Sequence, residues 1–274
     1  MNSIPAKSRP WRVGMIVPSS NTTLESEILA LLQRQGVADG SRFSLHAARL
    51  RLRHVAPAPE ALRAMNDAAG DAVDALCDAQ VDAVVYGCLL ATMFGGKASV
   101  VETGQRLARR ANYMRAAPVS VVTSADALTS ALQSLGARSI SMLTPYRKEL
   151  TAKVAATIEE LGIAVRQAVS LEIVDDAAVG RLDQQALLSM ACEMDLANSD
   201  ALVLSAGVQI PTLEVLDSVE QLLGLPVLSA STASVWALLQ KLRIEPRING
   251  AGWLLRSSCA QALLHVAASE RRAA

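Results

Sequence analysis

Cys88 is the side chain in this sequence whose type and setting best suit chemistry. A thiolate adds to activated double bonds and carbonyls, and a thiol can hand a proton to a carbanion. The five residues before Gly87, Asp-Ala-Val-Val-Tyr at 82–86, are short, apolar and valine-rich, as a buried strand is. Gly87 frees the backbone to turn, which sets Cys88 just past the strand's carboxyl end, where open α/β sheets bind ligands. Position alone leaves two readings: a nucleophile, or a small buried side chain that fills space, the commoner fate of a free cysteine. Ser19, Ser20, Asn21, Thr22 and Thr23 form a second cluster, between Pro18 and a helix with Glu25 and Glu27 in its first turn. One such residue caps a helix. Five exceed that need, and at a strand's carboxyl end the surplus points to an anion site on free N–H groups. Arg49, Arg51, Arg53 and His54 make a basic stretch, read either as a bidentate carboxylate clamp or as a solvated loop.

The composition narrows what these groups serve. The chain has 274 residues, half of them hydrophobic, few aromatic, and 26 basic side chains balance 26 acidic ones. That suits small-residue helices alternating with buried strands, and no charge surplus argues for nucleic acid or an acidic partner arm. No apolar run approaches the roughly 18 residues of a membrane span, and residues 1–10 lack the apolar core of a signal peptide. The expectation is a cytoplasmic protein without a membrane segment. Cys77, Cys88, Cys192 and Cys259 are scattered, with neither a CxxC pair nor zinc spacing, so no metal is expected. Cys77, Cys192 and Cys259 fall in helical patterns and read as structural.

The elements that must position the site follow from the pattern. Strands are expected at 12–17, 43–50, 82–86, 118–122, 139–146, 163–169, 200–205 and 226–229. Helices are expected at 24–32, 57–80, 98–111, 124–135, 148–161, 183–196 and 233–242, with a last helix beyond residue 252 and a mobile glycine turn at 93–97. Residues 200–209 repeat the plan of 82–92: Asp, Ala, aliphatics, small residues, then a turn. Thr144-Pro145-Tyr146 likewise repeats the strand, proline and polar plan of the first strand. The repeat implies two pseudo-symmetric, Rossmann/flavodoxin-like α/β lobes with parallel sheets and a cleft between them. The division drawn is residues 1–115 plus 230–274 for the lobe carrying Cys88, and 116–229 for the lobe carrying Tyr146 and Gly207. The apolar stretch 234–242 suggests a homodimer or higher homo-oligomer.

Four motifs in order, Val17-Pro18-Ser19-Ser20-Asn21-Thr22-Thr23-Leu24-Glu25-Ser26-Glu27, Tyr86-Gly87-Cys88-Leu89, Thr144-Pro145-Tyr146 and Val227-Leu228-Ser229-Ala230, resemble the maleate cis–trans isomerases. These belong to the aspartate/glutamate racemase superfamily, with arylmalonate decarboxylase. The resemblance implies a cofactor-independent enzyme holding a small mono- or dicarboxylic acid between its lobes. It implies that Cys88 adds to the double bond, that Asn21 binds a carboxylate, and that Tyr146 is a second, catalytic contact. Ser19, Leu89, Val208, Gly207 and Asp176 complete the expected substrate-binding set. Two departures stand out. The family's second-lobe cysteine, just before Val-Gln, is Gly207 here, and an asparagine of the family is Asp176. The alternatives are therefore a single-cysteine decarboxylase or lyase acting on a malonate-type acid, and a catalytically weakened relative that binds a small acid.

Overall fold

The structure, a computed structural model, describes residues 9–51 and 59–257. Two four-stranded parallel sheets form its frame. In the first, β1 (Trp11–Pro18), β2 (Phe43–Leu50), β3 (Ala83–Tyr86) and β4 (Ser120–Thr123) stand in the order β2-β1-β3-β4. In the second, β5 (Ser139–Thr144), β6 (Ala164–Ser170), β7 (Ala201–Ser205) and β8 (Val227–Ser229) repeat that order as β6-β5-β7-β8. The helices are α1 (Thr23–Asp39), α2 (Pro59–Asp78), α3 (Leu89–Met93), α4 (Gly96–Met114), α5 (Ser124–Ser134), α6 (Lys148–Glu160), α7 (Asp176–Val179), α8 (Gln184–Glu193), α9 (Leu213–Leu223) and α10 (Ala230–Leu242). A short 3-10 turn follows at Trp253–Leu255. The expected α/β class with two parallel sheets is what forms.

The central strands explain the pattern. Every residue of β3 and of β7 is buried, because helices cover both faces of a parallel sheet. Burying each valine or leucine there contributes about 1.5–3 kcal/mol. In each sheet the strand order reverses between the first and third strands, so the crevice for a ligand opens beside β1 and β3 in one lobe and β5 and β7 in the other. The repeated aspartates do the same work twice. Asp82 accepts a hydrogen bond from Arg12 N at 2.9 Å, at the entry of β1. Asp200 accepts from Ser139 N at 2.9 Å, at the entry of β5. Each thus fixes the register of the strand that carries the next loop of the cleft.

Several expectations need correction. The division at residue 116 gives residues 120–123 to the second lobe, yet β4 pairs with β3 in the first sheet. Chain order misleads here because the last strand of a doubly wound sheet is added at its edge before the chain crosses over. The glycine turn at 93–97 is instead the junction of two helices: Met93 is buried at the end of α3, and Gly96 opens α4. α10 begins at Ala230, three residues early, because Ser229 and Thr232 form a capping box. Its apolar face packs within the chain, on α1, α5, β3 and β4. Cys77 is buried in α2 as expected, whereas Cys192 on α8 is exposed and fills no core. Arg53, His54, Cys259 and the last expected helix lie outside the described residues. Among the described residues no helix is long and apolar enough to cross a membrane.

Glu220 closes the second lobe. Its Oε1 accepts hydrogen bonds from Val227 N and Trp253 N, both at 2.9 Å, and so ties the start of β8 to the 3-10 turn. Burial pushes its pKa from 4.5 up to about 8, against the opposing pull of those N–H groups. The folded state then holds a proton that the unfolded chain releases. This contribution to stability is complete below about pH 4.5 and is lost as pH rises through about 8. Urea unfolding should therefore give a stability that falls between pH 5 and 8.5, with a shallower fall in Glu220→Gln. Equal slopes in the two proteins would refute the assignment.

Candidate active site

The two crevices meet in one cavity of about 70 Å³. At roughly 10–15 Å³ per water-sized sphere, that holds on the order of five to seven groups, the scale of a small acid. Cys88, Leu89 and Leu90 line it from the first lobe, with Pro18, Ser20 and Asn21. Pro145, Tyr146 and Arg147 line it from the end of β5, and Val208 and Gln209 from the end of β7. Leu62, Leu150, Ile173, Val174 and Val179 supply an apolar wall. Among the described residues no three His, Cys, Asp or Glu side chains gather to hold a metal ion.

A Cβ at Gly87 would meet the side chain of Leu24, which would have to shift for the strand end to pass under α1. Gly87 N donates to Ile16 O at 2.8 Å, and Cys88 then leaves the sheet with 5% of its surface exposed. The turn is held from below. Tyr86 Oη donates to Asn66 Oδ1 at 2.9 Å, and Asn66 Nδ2 donates to Ala91 O at 2.8 Å. Thr92 Oγ1 donates to Leu89 O at 2.8 Å. Burial raises the Tyr86 pKa well above its ordinary value, so its hydroxyl stays a donor. The sequence signal for Asn66 was available: a lone amide on the buried face of an amphipathic helix needs a partner.

Asn21 is fully buried and joins the lobes. Its Oδ1 accepts from Leu24 N at 3.0 Å, capping α1, and its Nδ2 donates to Val208 O at 3.1 Å. The second hydrogen on Nδ2 remains for a ligand. Glu27, two turns along α1 from Asn21, reaches the same loop: its Oε1 accepts from Thr212 N at 2.6 Å and Leu213 N at 2.9 Å. Thr212, the N-cap of α9, makes no side-chain cap of its own, so Glu27 caps that helix from the other lobe. Burial pushes the Glu27 pKa up, and the bonds to Ser231, Thr212 and Leu213 oppose it.

The expected residues divide. Cys88, Leu89, Asn21, Tyr146 and Val208 come together around the cavity. Ser19 does not line it: its side chain is exposed, and its carbonyl accepts from Arg49 Nη1 at 3.0 Å. Arg49 is no clamp either. It pairs with Glu25 and also donates to Asn21 O at 3.1 Å, bracing the turn from behind. Asp176 opens α7, near Val179 of the cavity wall, but its side chain is not among those described. Gly207 lies against the cavity's edge. A Cβ there would stand 2.9 Å from Pro145 Cδ and 3.1 Å from Tyr146 Oη, so the tyrosine hydroxyl borders the space a side chain would take. Arg147 and the apolar wall were missed, since exposed or aliphatic residues carry no local signature of a pocket.

Two sheet crevices thus meet, with the Cys88 thiol at one and Tyr146 at the other. A family model described as arylmalonate decarboxylase matches residues 13–255. The maleate isomerase of Geobacillus stearothermophilus is 41% identical over 250 residues, covering 90% of this chain and 98% of that one. A crystal structure of a Cys→Ala variant of the maleate isomerase from Pseudomonas putida S16, with maleate, superposes with a TM-score of 0.87 at 38% identity, covering 91% of this chain and 99% of that one. A Cys→Ser variant of the Nocardia farcinica maleate cis-trans isomerase, with a covalently bound succinylcysteine intermediate, gives 0.84 at 36%, covering 90% and 99%. The chain belongs to the family of the maleate isomerases and arylmalonate decarboxylase.

Asn21→Ala should cost about 1–3 kcal/mol in urea unfolding, because Val208 O and Leu24 N both lose a buried partner. It should also weaken binding of small acids. Unchanged stability would show that the lobes are held without it.

Proposed function

We propose that this enzyme isomerises maleate to fumarate by reversible addition of the Cys88 thiolate. The observation that carries the reading is that Cys88 lines a small interlobe cavity together with Asn21 and Tyr146. The succinylcysteine intermediate of the Nocardia farcinica relative supports it. Sγ forms a bond to one alkene carbon, and the π pair moves onto the other carbon and its carboxylate as an enediolate. The former double bond is now single and rotates. The pair then re-forms the double bond in the trans geometry and the C–S bond breaks, returning the thiolate. No net proton is consumed, so one cysteine suffices for the cycle, whereas racemisation needs an acid or base on each face.

Asn21 Nδ2 and backbone N–H groups near Leu89 and Val208 hold the carboxylate on which charge develops. Tyr146, on the second-lobe side where Gly207 contributes no side chain, gives its proton to the enediolate carbon and takes it back before the C–S bond breaks, so none is consumed. The reading includes a cytoplasmic homodimer or higher homo-oligomer, a reducing setting that keeps Cys88 a thiol. A single thiol among the described lining residues also suits a second reaction, decarboxylation of a malonate-type acid with Cys88 as proton donor.

Proton NMR of the purified protein with maleate in heavy water separates these. Fumarate should appear, and Cys88→Ala should lower turnover at least about a thousandfold. Turnover retained in Cys88→Ala would sink the nucleophile. Carbon dioxide released from a substituted malonate, with maleate untouched, would favour the decarboxylase. Binding without turnover would leave a small-acid-binding protein. Tyr146→Phe should reduce kcat about a hundredfold with little change in KM, as loss of a general acid does. A change confined to KM would make Tyr146 a binding residue only.

A further inference from the structure

The geometry points to Arg147 as the residue that makes the cavity select dianions, by pairing with the substrate's second carboxylate. The inference rests on the proposed reaction with a small acid in this cavity. Among the described lining residues Arg147 is the one side chain that carries a full charge at neutral pH, and none of them is a carboxylate. It is exposed and makes no ion pair among the described residues. Its neighbour Lys148, by contrast, faces Glu172 at 3.7 Å, and Arg49 is committed to Glu25 and the turn behind the site. Arg147 is fixed in place at its backbone, as the N-cap of α6, with its carbonyl accepting from Thr151 N at 2.9 Å.

Among the described lining residues, no other group offers the second carboxylate a positive charge. Asn21 and the turn at Cys88 serve the carboxylate at the reacting end, while the far wall is made of side chains such as Leu150 and Ile173. An ionised carboxylate against that wall alone is disfavoured unless a cation or hydrogen bonds compensate it. A guanidinium offers both in a planar fork that matches a carboxylate. Without it, the same wall suits an alkyl or aryl substituent, and the preference turns toward monoanions.

The test compares wild type, Arg147→Met and Arg147→Lys on maleate and on maleamate, the same skeleton with one carboxylate made an amide. The kcat/KM ratio of maleate to maleamate should fall about tenfold in Arg147→Met and be partly restored in Arg147→Lys, with the wild-type ratio declining as salt screens the exposed pair. Calorimetric binding of succinate against succinamate, neither of which reacts, should show the same loss of dianion preference. A ratio unchanged within twofold in both measurements overturns the role of Arg147 while leaving isomerisation intact. If wild type does not turn over maleate but its succinate preference depends on Arg147, the proposed reaction falls and the anion site stands. If no small acid binds, both fall.

Discussion

Asn21, just before α1, and Glu27, in its second turn, both reach across to the loop that leaves β7. Neither bond is an ornament of the surface. The Asn21 amide is fully enclosed, and a buried polar group left without its partner costs about 1–3 kcal/mol. The Glu27 carboxylate replaces the cap that α9 lacks. These two attachments set where Val208 and Gln209 stand relative to Cys88. The width of the cavity, and with it the size of acid it accepts, depends on them.

The two lobes repeat one plan, and the repetition stops where chemistry begins. Asp82 and Asp200 enter their sheets in the same way, and the same strand order carries Cys88 in one lobe and Gly207 in the other. Gly207 is no neutral replacement for a larger residue. The Pro145 ring and the Tyr146 hydroxyl already stand within about 3 Å of where a Cβ would be. The site has closed over the vacancy, so that a tyrosine hydroxyl borders the place from which a second thiol would act.

Arginines show how much position matters for electrostatics. Arg49 belongs to the stretch whose charge density suggested a clamp, and it braces the Ser19–Asn21 turn from outside the cavity. Arg147 has no neighbours of like sign among the described lining residues and nothing in its local sequence to mark it. It lines the cavity because β5 ends three residues before it and the chain must turn there to start α6.

The sequence by itself determined the class of fold, the strands that carry the site, and the thiol at the end of β3. Those rest on local signals: aliphatic runs four to eight residues long, glycine where the backbone must pass closely, and a repeat of Asp, aliphatics and small residues. The family motifs fall on the strand ends that form the cavity. Only the tertiary structure decided that Ser20 rather than Ser19 faces inward, that Arg49 is turned away, that β4 joins the first sheet, and that Arg147 and an aliphatic wall complete the pocket. Each of these depends on which of two neighbouring residues points across a gap between elements far apart in the chain. Periodicity reports how a residue sits on its own strand or helix. It holds no information about what stands opposite, and a binding site between two lobes is made of what stands opposite.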